Sequence, residues 1–192
     1  KIIDKDLKST EIYKILRKSN PSPFGGLVML PEGSIISSSP ERLVRVDKEK
    51  LETRPIAGTR PRGVSALTDI HLSNELISST KERAEHLMLV DLERNDISRV
   101  CKPGSVKVNE MMIVESYAHV HHIVSNIVGK LKKKINPWKI ISAIFPGGTI
   151  TGCPKVRCME ILGELEKIGR GPYTGCLLYT SDAADEVQWV GG

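Results

Sequence analysis

"HVHHIVSNIVGKL", residues 119–131, is the stretch on which the fold turns. With a period of two, Val120, His122, Val124, Asn126 and Val128 share one face and His121, Ile123, Ser125 and Ile127 the other. Its β-branched composition predicts a long strand. "SVKV" (105–108) and "MMIVES" (111–116), just upstream, have the same character.

Further upstream the period changes. Ser79-Thr80-Lys81-Glu82 has the form of a capping box and opens a helix through "RAEHLMLVDL" (83–92). That helix is apolar around most of its girth from Leu87 to Leu92, which predicts a place in the core. Earlier still, "GGLVML" and "SIISSS" flank the turn Pro31-Glu32-Gly33, and "RLVRV" and "LETRPI" flank a turn from Asp47 to Lys50. Two hairpins follow, read together as an antiparallel meander. Ile12, Ile15 and Leu16 predict a first helix capped by Ser9 or Thr10, which the prolines of "NPSPF" (20–24) end.

Downstream, Asn136-Pro137 starts a helix reaching Phe145. Pro154 opens another, with Val156, Met159, Leu162 and Leu165 towards the core and Gly169 as its stop. Strand clusters alternate with core helices without a regular βαβ rhythm. The fold class is therefore α+β, a layered α/β sandwich with large, mainly antiparallel sheets.

Composition narrows the function. With 40% hydrophobic and 27% charged residues, the 192-residue chain has the balance of a soluble globular protein. No apolar run nears the about 20 residues that span a bilayer, and no leader argues for secretion. The four cysteines form no CxxC pair, as expected of reduced cytoplasmic thiols. A net charge of +5 could draw an anion, but the charges are spread and aromatics are only 4%, too few for a base-stacking platform. Neither nucleic acid nor membrane is expected as a partner.

"FPGGTITGCPK" (145–155) has the glycine spacing of a phosphate loop, yet Gly152 is followed by Cys-Pro-Lys-Val. Lys155 comes two places late and no hydroxyl is left for a metal, so the nucleotide reading fails. Two readings stay open: an anion loop built from glycines, Thr149, Thr151, Lys155 and a helix start, or a tight helix-to-helix turn. "RPIAGTRPRG" (54–63) is a second glycine-threonine turn, with arginines suited to planar anions. Glu85, on the apolar helix, needs an ion-pair partner such as Lys81 or Arg83, or a bound cation. Glu160, Glu164 and Glu166 form a solvated face. "HVHH" lacks the third ligand a zinc site requires, and His122 among valines has the setting of a satisfied core histidine.

Taken in order, "SSSPERLVRV", "TRPIAGTRPRG", "ERAEHLMLVDLERND", "HVHHIVSNIVGKL", "FPGGTITGCPKVRCMEIL" and "GRGPYTG" resemble the chorismate-utilising enzymes. That family includes the large subunits of anthranilate synthase and aminodeoxychorismate synthase, and the isochorismate and salicylate synthases. The resemblance implies the α/β sandwich of the family and a site for a dicarboxylate whose ring hydroxyl leaves while a nucleophile adds. By resemblance Glu41 is the general acid, His122 a histidine beside the leaving hydroxyl and Thr149 a hydroxyl near the ring. Gly58 and Thr59 would contact substrate, Tyr173 the enolpyruvyl carboxylate, and Glu85 would ligate Mg2+.

Within the family the "FPGGTITGCPK", "VDLERND" and "GRGPYTG" forms point to aminodeoxychorismate synthase, which makes 4-amino-4-deoxychorismate for folate synthesis with a glutamine amidotransferase partner supplying ammonia. Ala57 points the other way, to anthranilate synthase component I of tryptophan synthesis, since many aminodeoxychorismate synthases carry a nucleophilic lysine there. A non-catalytic remnant of the fold is a further alternative, set against the joint presence of Glu41, Glu85, His122 and Thr149. "NPSPF" resembles the wall of a tryptophan regulatory pocket. Residues 1–175 are expected to be a partial catalytic domain that lacks further metal-ligating glutamates and is inactive alone. In 176–192, "CLLYTSDAADE" resembles a translated transposase adapter and is expected to be non-native.

Overall fold

A computed structural model of the chain describes residues 7–179 and 188–190. Helix α1 (Ser9–Ser19) starts slightly earlier than expected: Lys8, not Ser9 or Thr10, is the extended N-cap, and its amide donates to Glu11 Oε2 at 3.3 Å. Both hairpins form where the turn residues put them. β1 (Phe24–Leu30) pairs with β2 (Gly33–Ser39), and β3 (Arg45–Asp47) with β4 (Lys50–Thr53) around Lys48, whose φ is 54°. They do not join into one meander. β1 and β2 form a sheet of their own, while β4 pairs with the 119–131 stretch.

β5 (Ile56–Pro61) leads into α2 (Ala66–Ser78) and α3 (Thr80–Ser98). The sequence pattern predicts only the second helix. Ser65 caps α2 by accepting from the Thr68 amide at 3.3 Å, but Leu67 and Ile70 are 82% and 59% exposed, so no apolar stripe announces it. Ser79 caps α3, accepting from the Glu82 amide at 3.4 Å; the Glu82 carboxylate goes to Arg60 at 3.2 Å, so the reciprocal half of a capping box is absent. α3 buries one stripe (His86, Leu89, Val90, Glu93, Asp96 and Ile97 among it) and leaves Leu87 and Met88 exposed. It is a core helix on one face, not all round.

β6 (Lys107–Ser116) and β7 (Val120–Lys130) complete a five-stranded antiparallel sheet with β7 in the middle. β6 takes one edge of β7; β4 and β5 share the other in succession, Thr53 opposite Ile127 and Ile56 opposite Val124. The His121, Ile123, Ser125 and Ile127 face is buried, and Ile127 packs with Leu51, Val90, Ile97, Ile140 and Ile144 in the core. Each such aliphatic side chain contributes roughly 1.5–3 kcal/mol when fully buried. The sheet is bulged twice in β6, where Met112 has φ 51° and its amide donates to Ser125 Oγ at 2.9 Å. It is bulged once in β5, between Ile56 and Thr59, where Gly58 adopts φ 86°.

α4 (Pro137–Ile144) begins and ends as expected, Asn136 Oδ1 accepting from the Lys139 amide at 2.8 Å. The single turn α5 (Gly148–Thr151) and α6 (Lys155–Leu165) follow. α6 departs from expectation: it stops at Glu166 rather than Gly169, and Val156 and Leu165 are each 72% exposed, because nothing among the described residues covers that face. β8 (Cys176–Leu178) pairs antiparallel with β9 (Gln188–Val190). Of the segment expected to be non-native, 180–187 and 191–192 lie outside the described residues, as do 1–6 at the other end. Helices against antiparallel sheets make the α+β class expected.

Candidate active site

The 145–155 loop is pressed onto α3: a Cβ on Gly148 would stand 2.5 Å from Leu92 Cδ2. That approach carries Thr149 to Glu41, 108 residues earlier, and Thr149 Oγ1 donates to Glu41 Oε1 at 3.2 Å. Burial pushes the Glu41 carboxyl above its ordinary range, while the Thr149 hydroxyl and the Ile56 amide pull the other way. Lys155 and Thr151, which an anion loop would aim at its ligand, are otherwise engaged. Lys155 pairs with the buried Asp96, and Thr151 Oγ1 donates to the Gly147 carbonyl at 3.3 Å. The two readings left open thus divide residue by residue: Thr149 faces a carboxyl, and the rest is a helix-to-helix turn.

β5 is the spine of the site. Its Ile56 amide acts on Glu41, its Ala57 carbonyl on His86 and its Gly58 carbonyl on His122. Thr59 lies opposite His122 in register, and Thr59 Oγ1 is 2.9 Å from His122 Nδ1. The bulge at Gly58 allows this: a Cβ there would sit 3.2 Å from each of Leu76, Ile123 and Glu82. His122 is half-buried, and burial lowers its pKa against the opposing pull of the Gly58 carbonyl and the Glu115 carboxylate. His86 is fully buried, with Nε2 2.7 Å from Ser125 Oγ; burial lowers its pKa against the pull of the Ala57 carbonyl, which completes no hydrogen bond with Nδ1.

One buried ionisable group escaped the sequence reading. Glu93 is 8% exposed, and burial drives its pKa to about 8, aided by the Glu41 and Asp96 carboxylates. Thr53 lies near, yet neither Thr53 Oγ1 nor Glu93 Oε2 completes a hydrogen bond. The signal was available: His86, Leu89, Val90, Glu93, Asp96 and Ile97 fall at helical spacing on one stripe. Glu85, one residue before His86, falls off that stripe and is exposed. The burial expected for it is thus corrected, and it pairs with neither Lys81 nor Arg83 among the described residues.

Mg2+ binds through oxygen ligands in octahedral geometry, commonly one or two carboxylates with water and substrate. Among the described residues no three His, Cys, Asp or Glu side chains gather to hold a metal, and Glu85 alone does not make such a site. The zinc reading of "HVHH" finds no support either: His119 Nε2 bonds the Ser19 carbonyl at 2.8 Å, and His121 is held between Ser116 and Asp69. Tyr173 is 70% exposed beside Arg170, whose guanidinium carbon is 5.8 Å from the ring centroid. An open hollow of about 350 Å³ between Glu49, Ser105 and Lys130 lies at the opposite end of β7 from His122. No described helix is long and apolar enough to cross a membrane.

The family model described as chorismate binding enzyme matches residues 2–190. Aminodeoxychorismate synthase component 1 of Bacillus subtilis is 58% identical over 87% of this chain and 36% of its own length. Anthranilate synthase component 1 of Saccharolobus solfataricus is 52% identical over 88% of this chain and 40% of its own. Among solved structures, anthranilate synthase component I from Streptococcus pneumoniae superposes with a TM-score of 0.78 at 38% identity, covering 87% of this chain and 36% of that one. The menaquinone-specific isochorismate synthase MenF of Escherichia coli, at 21% identity and a TM-score of 0.63, covers 70% of this chain and 31% of that one and shares the fold. The chain thus spans 36–40% of the length of these two curated relatives.

Proposed function

The chain belongs to the chorismate binding enzyme family, and from that premise we propose that it carries part of the active site of an aminodeoxychorismate synthase. The observation that carries the proposal is the contact between Thr149 and Glu41. Replacing the ring hydroxyl of chorismate by ammonia forms a C–N bond, breaks a C–O bond and releases water. The departing oxygen needs a proton, and burial raises the pKa of Glu41 in the direction a proton donor requires. Once that proton has gone, the Thr149 hydroxyl donates to the carboxylate left behind, an interaction stronger after transfer than before it. His122, its pKa lowered by burial, stands beside the leaving group; Gly58 and Thr59 contact the substrate, and Tyr173 its enolpyruvyl carboxylate.

Glu85 would lend one oxygen to a bound Mg2+, whose other ligands would come from outside the described residues. Unprotonated ammonia is scarce at neutral pH, so we assign its supply to a glutamine amidotransferase partner, in keeping with relatives named component 1. Ala57, 8% exposed, offers no nucleophile, so ammonia attacks the ring directly. The same alanine favours a second reading, anthranilate synthase, alongside the 52% identical relative.

Mass spectrometry of the products decides between them. Full-length protein with chorismate, Mg2+ and an ammonium salt at raised pH is expected to yield 4-amino-4-deoxychorismate. Anthranilate would establish the second reading, and unchanged chorismate would reject both. Glutamine is expected to replace the ammonium salt only when the partner is added.

A further inference from the structure

Beside His122 lies a row of side chains, Arg54, Glu110, Glu115 and Tyr117, that the proposed function does not use. Arg54 forks between two carboxylates: Nη1 donates to Glu110 Oε2 at 2.6 Å and Nη2 to Glu115 Oε1. The other Glu115 oxygen accepts from the Tyr117 hydroxyl at 2.7 Å. The Tyr117 ring meets His122 edge to face, centroids 5.6 Å apart at 62°. Thr59 Oγ1, at His122 Nδ1, closes the row from the β5 side.

Among the described residues the ring of His122 has one side-chain hydrogen-bond partner, the Thr59 hydroxyl, besides the pull of the Gly58 carbonyl. The hydroxyl can donate or accept, so by itself it selects neither tautomer, and rotation about the terminal ring torsion is soft, so the ring plane decides which nitrogen meets the hydroxyl. A second, directional contact is needed to fix the ring plane, and the edge-to-face packing of an aromatic ring supplies one. That contact orients His122 only if Tyr117 is itself held. Its hydroxyl proton is committed to Glu115, and Glu115 is committed to the planar fork of Arg54. Against burial, the Tyr117 hydroxyl and Arg54 keep Glu115 ionised, while burial and that carboxylate push the Tyr117 hydroxyl up to about 12. The row therefore keeps its hydrogen bonds through neutral pH.

We propose that Tyr117, anchored through Glu115 by Arg54, is the positioning residue that sets the ring plane of His122, and with it which ring nitrogen meets the Thr59 hydroxyl and the Gly58 carbonyl. This rests on the reading of His122 as an active-site group. A role confined to tying β6 to β5 would need the Arg54 ion pairs but not the Tyr117–His122 contact.

The test uses full-length protein with 15N-labelled histidine, the His122 ring signals being assigned by their loss in His122→Gln. Tyr117→Phe keeps the ring and drops the anchor. It is expected to move both His122 ring-nitrogen shifts towards the average of the two tautomers and to lower kcat about five- to tenfold with KM unchanged. Glu115→Gln, whose amide oxygen still accepts from Tyr117, is expected to move the shifts less than Glu115→Ala. Unmoved His122 shifts in Tyr117→Phe would overturn the proposal whatever the activity. Shifts that move in a protein unable to convert chorismate would uphold the positioning role and defeat the functional reading.

Discussion

Lys155 Nζ lies 2.5 Å from Asp96 Oδ2 and donates to the Ile144 carbonyl at 2.8 Å, tying the start of α6 to α3 and to the end of α4. Asp96 is 5% exposed, so the pair is buried on its acidic side. Lys155→Met would leave that carboxylate without its cation, a change that typically costs roughly 3–5 kcal/mol. The expected outcome is a large fall in the urea midpoint. A variant of full stability that had lost chorismate binding would instead make Lys155 a ligand-binding residue.

Gly58 should not tolerate a side chain. Its φ of 86° is unfavourable for alanine, and the added Cβ would crowd Leu76, Ile123 and Glu82 at 3.2 Å. Gly58→Ala is expected to lose about 1–3 kcal/mol of stability. In the same variant the Thr59–His122 contact should loosen, seen as a changed His122 ring signal by NMR.

Glu93 makes stability fall as pH rises. Its folded pKa of about 8 lies above that of an unfolded glutamate, near 4.3, so between these values the native state binds more protons than the unfolded one. The favourable contribution of the protonated group is complete below about pH 4 and is lost by the time pH passes 8, at up to about 1.4 kcal/mol per unit. Melting curves from pH 5 to 9 should show a decline in the parent protein that Glu93→Gln lacks. Parallel curves would mean that Glu93 is ionised throughout.

Asp69 has the opposite sign. The Arg62 guanidinium, the Gly63 amide and His121 hold its carboxyl well below the usual range. Its stabilising contribution is present above about pH 4, the unfolded value, and disappears as pH falls towards the folded one. Acid titration followed by circular dichroism should show Asp69→Asn to be less stable than the parent at pH 6, with the difference shrinking steadily as pH falls below about 4.

For the chemistry itself, Glu41→Gln in the full-length protein is expected to cut turnover by about 10²–10⁴-fold with little change in KM, as when only proton transfer is lost. Thr149→Val should cost less, since it removes a hydrogen bond to the acid and not the acid. Equal losses in kcat and substrate binding for Glu41→Gln would make Glu41 a binding residue.

The local pattern was sufficient for much of this protein. The alternation in 119–131 specified the central strand, Asn136-Pro137 the start of α4, and the Asp47 to Lys50 turn a hairpin, because period and turn chemistry are properties of consecutive residues. The order of motifs also pointed to the family that the comparisons bear out. Tertiary packing decided what lies between elements: that β4 and β5 share one edge of β7, that α6 exposes its apolar face, and that Lys155 serves Asp96 rather than an anion. It also decided which glutamate of α3 is buried. Glu85 and Glu93 both follow helical residues in the sequence, but one residue is about 100° of rotation on a helix, and only the sheet against α3 shows which side faces inward. Partners 59 or 108 residues apart meet through that packing, and no spacing along the chain encodes their distance.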